Sequence, residues 1–268
     1  MRQFLPHTFT ALAAALTLAT TAHASIVWQY EGAAASSNEW QAARAGSTLV
    51  ALHGPSNGWN TAEIRQIGKH RAIGFPEGAS AFTFQEDATL PVTAVYAVVR
   101  WEHGGGAPSH LSCPWTEEGL TTLIEAPYNV CIRLTPPLFS SSPWQWQTEQ
   151  LGYHATYRIN GVDTARFEPS PAFQLIEVRF ENPPIMNELY IGNAAASPLW
   201  LRHFSGDVGE LLFFTTRAPA QQEQHAIYNY FRLKWGIPLD YERVDAPHIL
   251  DALGVRRGNL FSTTFMVR

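Results

Sequence analysis

Apolar and polar residues alternate along most of this chain with a period of two, in short runs cut by glycine and proline. That period marks β-strands, whose successive side chains point to opposite faces. In residues 92–101, Val95, Ala97, Val99 and Trp101 share one face, and in residues 173–181 Ile176, Val178 and Phe180 do the same. Shorter stretches at 26–30, 48–53, 70–75, 81–85, 120–125 and 129–134 also read as strands. Residues 153–159 and 162–167 flank Asn160-Gly161, a pair suited to a type I′ hairpin turn because both central positions need positive φ. Residues 189–192 and 199–204 lead into 207–215, where Leu211, Leu212, Phe213 and Phe214 are apolar on both faces. A strand of that kind is central and covered on each side.

The period changes to that of a helix over 221–235. Ile227, Tyr230, Phe231 and Trp235 fall on one stripe there, and Arg232 and Lys234 suit the negative end of the helix dipole. Gly236 can take the left-handed conformation that ends a helix, and Pro238 forbids continuation. Ser36-Ser37-Asn38-Glu39 has the form of a capping box and predicts a brief helix through Ala45. The tail from Leu239 reads as loop or short helix until Asn259, where LFSTTFMV predicts one more strand. Together these elements predict an all-β protein, a jelly-roll β-sandwich of two antiparallel sheets with one C-terminal α-helix at about 221–235. No repeat or low-complexity block divides the chain, so one domain is expected.

Composition changes this picture mainly at the start. Arg2, the short apolar run 9–20 and Ala22-His23-Ala24 before Ser25 have the three parts of a secretory signal peptide, residues 1–24. The apolar run is shorter than the roughly 20 residues that span a bilayer, and no second stretch approaches that length. The expected address is therefore secreted, periplasmic or cell-surface. The remaining chain, 25–268, is long enough to bury about three-quarters of its unfolded surface. Formal net charge is −5, with basic residues scattered and no run beyond Arg256-Arg257, which argues against nucleic acid or anionic membrane as partner. In an exported chain Cys113 and Cys131 are expected to form a disulfide, worth about 3 kcal/mol in the chain-entropy model. His103, His110 and Cys113 share one Gly/Pro-rich stretch but lack the paired spacing of a zinc site, so no metal is assigned to them.

Several segments carry a family resemblance. HRAIGF at 70–75, VYAVVR at 95–100, Ile159-Asn160-Gly161-Val162 and FQLIEVRF at 173–180 occur in order. The most specific part is the end: LYIGN at 189–193, FSGDVGELLFF at 204–214 and EQHAIYNYFRLKWGI at 223–237. Together they resemble LamG-like domains of the concanavalin A-like lectin/glucanase superfamily. In bacterial members of it a strand of form G-D-I-x-E precedes a helix ending K-[WY]-G. The resemblance covers about residues 70–237 and implies a jelly-roll core there, with 238–268 as an extension. Two departures stand out. Where the family commonly carries W-x-D-x-S-G-N-G, this chain reads AGSTLVALHGPSNGWN at 45–60, which leaves an inherited rim site unsupported. Ala220, after Pro219, replaces the usual Ser or Asp helix cap, a loss of about 1 kcal/mol that Glu223 partly offsets.

Candidate chemistry is sparse. Glu177-Val178-Arg179-Phe180-Glu181 is similar to the E-x-D-x-E strand of the glucanase branch, whose outer carboxylates are nucleophile and general acid. A retaining glycosidase needs those groups about 5–5.5 Å apart, whereas residues four apart on a flat strand lie about 13 Å apart. Arg179 in place of the middle Asp would also hold both glutamates ionised. Asp207 and Glu210, three apart, are expected on opposite faces of one strand. Asp163, Asp207 and Asn193 could line a rim calcium site as in laminin-type relatives, so calcium stays open as the one cofactor considered. The distinctive feature is aromatic: Trp115, Trp144 and Trp146 lie in two polar excursions, 102–119 and 136–150, where paired indoles can stack on sugar rings.

The leading expectation is thus an exported, non-catalytic, adhesion-type module that binds a glycan or a cell-surface protein. Trp115, Trp144 and Trp146 are its stacking groups, with His110 and Tyr153 as polar neighbours. Two alternatives stand beside it: a glycoside hydrolase using Glu177 and Glu181, and a cell-surface assembly protein that pairs through its C-terminal strand.

Overall fold

The computed structural model describes residues 26–35, 39–44, 48–52, 62–76, 81–84, 90–101, 121–126, 129–135, 144–146, 155–164, 166–167, 170–181, 183, 185–186, 190–192, 204, 206–241, 243 and 246–257. The chain enters as β1 (Ile26–Ala35), β2 (Glu39–Arg44) and β3 (Thr48–Leu52), then the hairpin of β4 (Glu63–Ile67) and β5 (His70–Phe75). Next come β6 (Ala81–Phe84), β7 (Leu90–Pro91), β8 (Ala94–Trp101), β9 (Thr121–Ala126), β10 (Asn129–Thr135) and β11 (Trp144–Trp146). β12 (Ala155–Ile159), β13 (Val162–Asp163), β14 (Arg166–Phe167), β15 (Gln174–Phe180), β16 (Ile185–Met186) and β17 (Tyr190–Ile191) lead to β18 (Gly206–Phe214). Two helices follow, α1 (Gln221–Trp235) and α2 (Pro247–Leu253).

Hydrogen-bonded neighbours run β13-β12-β15-β8-β18-β1-β2-β3-β6-β17-β9-β10-β11-β14, with β5 and then β4 branching from β18. The ends of this path, β13 and β14, are consecutive in the chain. Three Cα steps from Asp163 to Arg166 span at most about 11 Å, close to the spacing of about 10 Å between stacked sheets. The path therefore doubles back, and two antiparallel sheets lie face to face as an all-β sandwich. Neighbours in the path are mostly remote in sequence, with β8 between β15 and β18 and β6 between β3 and β17. Such crossings belong to a jelly roll and not to a meander.

The corner between the sheets lies at β1. One edge of β18 pairs with β1 from Glu210 to Phe214 and with β5 from Gly206 to Val208. β1 must then cross β5 to reach β2, and it does so at Gly32, where a Cβ would lie 2.7 Å from the Ala72 Cα. A side chain has no room at that crossing.

The first sheet is β13-β12-β15-β8-β18 with β5 and β4, and the second runs from β2 to β14; burial separates two cores on the two faces of the first. Tyr30, Trp40, Phe82, Val99, Ile176 and Phe213 belong to the core between the sheets. Tyr96, Leu175, Leu212, Phe214, Ile227 and Phe231 belong to the core beneath the helices. β18 is buried at all nine positions, as its two-faced apolar sequence requires. The predicted stripe of α1 lies wholly in the second core. Gly236 ends α1 with φ 70°, and Asn160 and Gly161 turn the β12–β13 hairpin at φ 51° and 87°.

Among the described residues the structure departs from the sequence expectation at β2, at β4 and at 162–167, where the single strand expected divides into β13 and β14 at the two ends of the strand path. Residues 39–44 are strand β2 and not the helix that the capping-box pattern predicts. Trp40 decides this: fully buried, it packs edge-on to Tyr30 (5.6 Å between centroids) and Phe82 (6.0 Å), and its indole N–H donates to the Glu31 carbonyl at 2.9 Å. Tertiary burial outweighs a local capping signal worth about 1 kcal/mol. Strand β4, with only Ile64 and Ile67 as apolar residues, lacks an alternating pattern and is held by the turn at Gly68 (φ 59°). The tail after α1, expected as loop or short helix, forms the short helix α2, which packs back over the helical core through Leu250 and Leu253. The strand expected after Asn259 falls outside the described residues.

Candidate functional site

Of the residues singled out in the sequence, Trp144 and Trp146 lie on β11, the strand next to the β14 edge of the second sheet. Register sets Trp146 opposite Leu134 and Trp144 opposite Phe167, while Gln145 stands opposite Thr135 and Arg166. The two tryptophan positions thus share one face of the ladder, and Gln145 lies on the other. Cys131 lies on β10, adjacent to β11. His103, His110, Cys113, Trp115, Tyr153 and Asn193 fall outside the described residues, and so does the proposed partner of Cys131.

The acidic candidates meet a different fate. Glu177 points from β15 into the helical side of the first sheet and is 1% exposed. Its carboxylate accepts from the Tyr96 hydroxyl at 3.0 Å, from the Gln224 amide at 2.7 and 2.8 Å and from the Tyr228 hydroxyl, and it is ion-paired with Arg179. Burial, reinforced by the Glu177 charge, pushes both tyrosine hydroxyls well above their ordinary range, so they stay protonated and donate to the carboxylate while accepting from Arg179 and Gln224. α1 therefore covers Glu177 with Gln224 and Tyr228, while Glu181 stands exposed beyond the end of β15. A buried carboxylate engaged on both oxygens cannot reach a glycosidic bond, and the Glu177/Glu181 hydrolase arrangement is corrected on that ground.

Asp207 and Glu210 are also corrected: they share one face. β8 pairs Val99 with Val208 and Val98 with Glu210, so Gly209 is left over as a bulge. Asp207 stands opposite Arg100, two residues from Val98 on a regular strand, and the extra residue brings both acids to the helical side. The bulge must be glycine, because a Cβ there would lie 2.7 Å from a ring carbon of Trp235. Both carboxylates are fully buried. Asp207 pairs with Arg100 at 2.6 Å and with Arg65, which lies across Gly74, at 3.4 Å. Glu210 accepts from Gln29 (2.8 Å), Tyr230 (2.7 Å) and the Trp235 indole (3.0 Å), and pairs with Lys234 at 2.8 Å.

Lys234 also reaches Glu31 at 3.0 Å, directly across the ladder from Glu210. Burial pulls the ammonium's pKa down, but Glu210 and Glu31 outweigh it and hold the charge. Glu31 is raised above the ordinary carboxylate value by burial first and by Glu210 second. Stability linked to Glu31 is therefore fully present below the unfolded-state value and is lost as pH rises through the higher folded value. Glu31→Gln is accordingly expected to raise the thermal midpoint at pH 7 and to leave it unchanged near pH 4. A lower midpoint at pH 7 would show that the Lys234 pair dominates. His70, stacked on Trp235 at 4.5 Å, has its pKa lowered, chiefly by burial, so its neutral form belongs to the folded state.

Calcium ligation by Asp163 and Asp207 together is geometrically closed. Four strand spacings separate β13 from β18, about 19 Å, whereas an ion's ligands stand within about 2.6 Å of it. Asp163 is instead exposed at the hairpin and paired with Arg158 at 2.6 Å, which holds its carboxyl below the usual range. Among the described residues no group of three or more His, Cys, Asp or Glu side chains is placed to hold a metal ion, and no helix is long and apolar enough to cross a membrane.

No protein-family model matches the chain, and no curated protein matches it significantly. A solved structure that it resembles in shape is domain 4 of an extracellular GH43 arabinanase from Geobacillus stearothermophilus, in complex with arabinotriose. The identity is 14% over 72% of this chain and 93% of that one, with a TM-score of 0.40.

Proposed function

We propose that the protein is an exported, non-catalytic, LamG-like module of adhesion type that binds a glycan on the side of its second sheet. The observation that carries this reading is the closure of the first sheet's outer face. The carboxylates on that face, Glu177, Asp207 and Glu210, are buried beneath α1 or locked to arginine and lysine. Chemistry at that face would require α1 to leave a core of Tyr96, Leu212, Phe214 and Phe231.

The second sheet offers the aromatic residues. A disulfide between Cys113 and Cys131 would tie the first excursion to β10, beside β11, because bridged cysteines have Cα atoms only about 4.4–6.8 Å apart. Trp115, two residues from Cys113, would then stand near Trp144 and Trp146, with His110 and Tyr153 as polar neighbours. Indoles so gathered give a sugar ring an apolar stacking face, and the imidazole and phenol give its hydroxyls hydrogen-bond partners.

A glycan array on residues 25–268 tests this reading, with Trp144→Ala and Trp146→Ala as variants and thermal unfolding as a control. The expected result is retention of a glycan by the wild type and at least tenfold weaker retention by each variant, with thermal midpoints close to wild type. Variants that unfold would place the indoles in the core. Unchanged retention, or retention lost instead in Gln145→Ala, would move the ligand to the other face. Either result overturns the platform.

A further inference from the structure

We infer that residues 246–257 form a strap that opens and closes over the seam between α1 and β1 as one unit, latched by the side chain of Gln29. Gln29 is fully buried on the first sheet's helical face, next to Leu212 in register, and its amide also donates to Glu210 at 2.8 Å. A carboxamide there costs stability unless it is hydrogen-bonded. Its oxygen accepts the Arg256 N–H at 2.8 Å, and its nitrogen donates to the Arg256 carbonyl at 3.1 Å. The side chain thus grips one residue of passing backbone by both peptide groups, as a neighbouring strand would. The Tyr230 hydroxyl adds a bond to the same carbonyl at 3.2 Å.

The strap depends on this docking. α2 has seven residues, its N-cap Ala246 makes no side-chain capping bond, and helices of that length do not persist alone in water. Its inner side rests on α1 and the sheet through Leu250, Leu253 and Val255. An ion pair from Arg257 to Asp251 (2.8 Å) is internal to it and survives opening. Among the described residues the strap is attached to the rest of the fold through these few apolar side chains and the two bonds at Arg256. Segments of that kind open at lower free energy than the central strands. Opening would admit water to Gln29, Tyr230 and Glu210 without separating α1 from β8 and β18.

Native-state amide hydrogen exchange on the intact chain tests this, using Gln29→Met, which keeps volume and removes the carboxamide. In the wild type, the amides of Gly254, Val255 and Arg256 are expected to exchange at least tenfold faster than those of Leu212 and Val98. In the variant, strap exchange should accelerate a further tenfold or more, with β8 and β18 unchanged. Strap and sheet amides exchanging with one rate and one denaturant dependence in the wild type would overturn the proposal. So would a variant in which β8 and β18 lose as much protection as the strap. If Gln29→Met fails to fold, Leu250→Ala, which weakens the strap from its own side, takes its place with the same expected pattern.

Discussion

Glu210→Ala is expected to destabilise the protein by about 3–5 kcal/mol, the cost of leaving one side of a buried ion pair uncompensated. Four groups converge on this carboxylate: the Gln29 amide, the Tyr230 hydroxyl, the Trp235 indole and the Lys234 ammonium. Removing it takes the carboxylate from the buried Trp235 indole, leaves Gln29 and Tyr230 with the Arg256 carbonyl, and leaves Lys234, itself only 14% exposed, with Glu31 as its remaining carboxylate. For a chain of this length each 1 kcal/mol lowers the thermal midpoint by about 2–4 °C, so a fall on the order of 10 °C is expected. Glu63→Ala, which removes a half-exposed partner of Arg65, is the control and should change stability by less than about 1 kcal/mol. Thermal and urea unfolding of both variants would check this, and equal losses would show that Glu210 is no keystone.

Gly32→Ala is expected to be at least as damaging, for a reason that involves no hydrogen bond. Where β1 crosses β5, an added Cβ would press against the Arg71 carbonyl oxygen and lie 2.7 Å from the Ala72 Cα. These are backbone atoms and cannot swing aside as a side-chain tip can. Relief requires the two strands to part, which breaks the β1–β18 and β5–β18 pairings that share one edge. A loss above about 4 kcal/mol, or no soluble folded protein, is the expected outcome. Gly68→Ala is the comparison: a Cβ there meets nothing, and only the φ of 59° is strained. Denaturant midpoints for the pair separate steric exclusion from conformational strain, and a Gly32→Ala midpoint as high as that of Gly68→Ala would remove the crossing from the account.

These residues also show how far the sequence could be read. The strong strands, the buried faces of Val95, Val99, Ile176 and Val178, the Asn160-Gly161 turn and both ends of α1 followed from local periodicity, because one face of each element dominates its composition. Strand β2 did not, since a single tryptophan outvotes its capping signal only once the opposite sheet is present. The shared face of Asp207 and Glu210 was hidden for a similar reason. Alternation counts residues, and a bulge at Gly209 adds one that only the pairing with β8 reveals. The glycine between the two acids was the available clue.

The reading of Glu177 turned on what covers it. Strand geometry and Arg179 argued against a retaining pair from the sequence alone, but α1 as a lid over that carboxylate could not be seen there. Gln224 and Tyr228 are four apart on the helix and so share a face, which was legible. That this face lands on Glu177 depends on how α1 crosses the sheet. The cap of α1 was legible in part: Ala220 offers no side-chain cap, and Glu223, expected to compensate, accepts the Ala220 N–H at 2.8 Å and is pinned by the two terminal guanidinium nitrogens of Arg217, six residues before it.

The proposal that the buried carboxylates hold the fold while the protein binds a glycan without cleaving it is open to a direct measurement. Residues 25–268 are incubated with a panel of polysaccharides, and retained protein and newly formed reducing ends are measured in the same samples, for the wild type and for Glu177→Gln. The account predicts retention on at least one polysaccharide by both proteins, no reducing ends above background from either, and a lower thermal midpoint for the variant. Reducing ends that the wild type releases and a folded Glu177→Gln does not would contradict it.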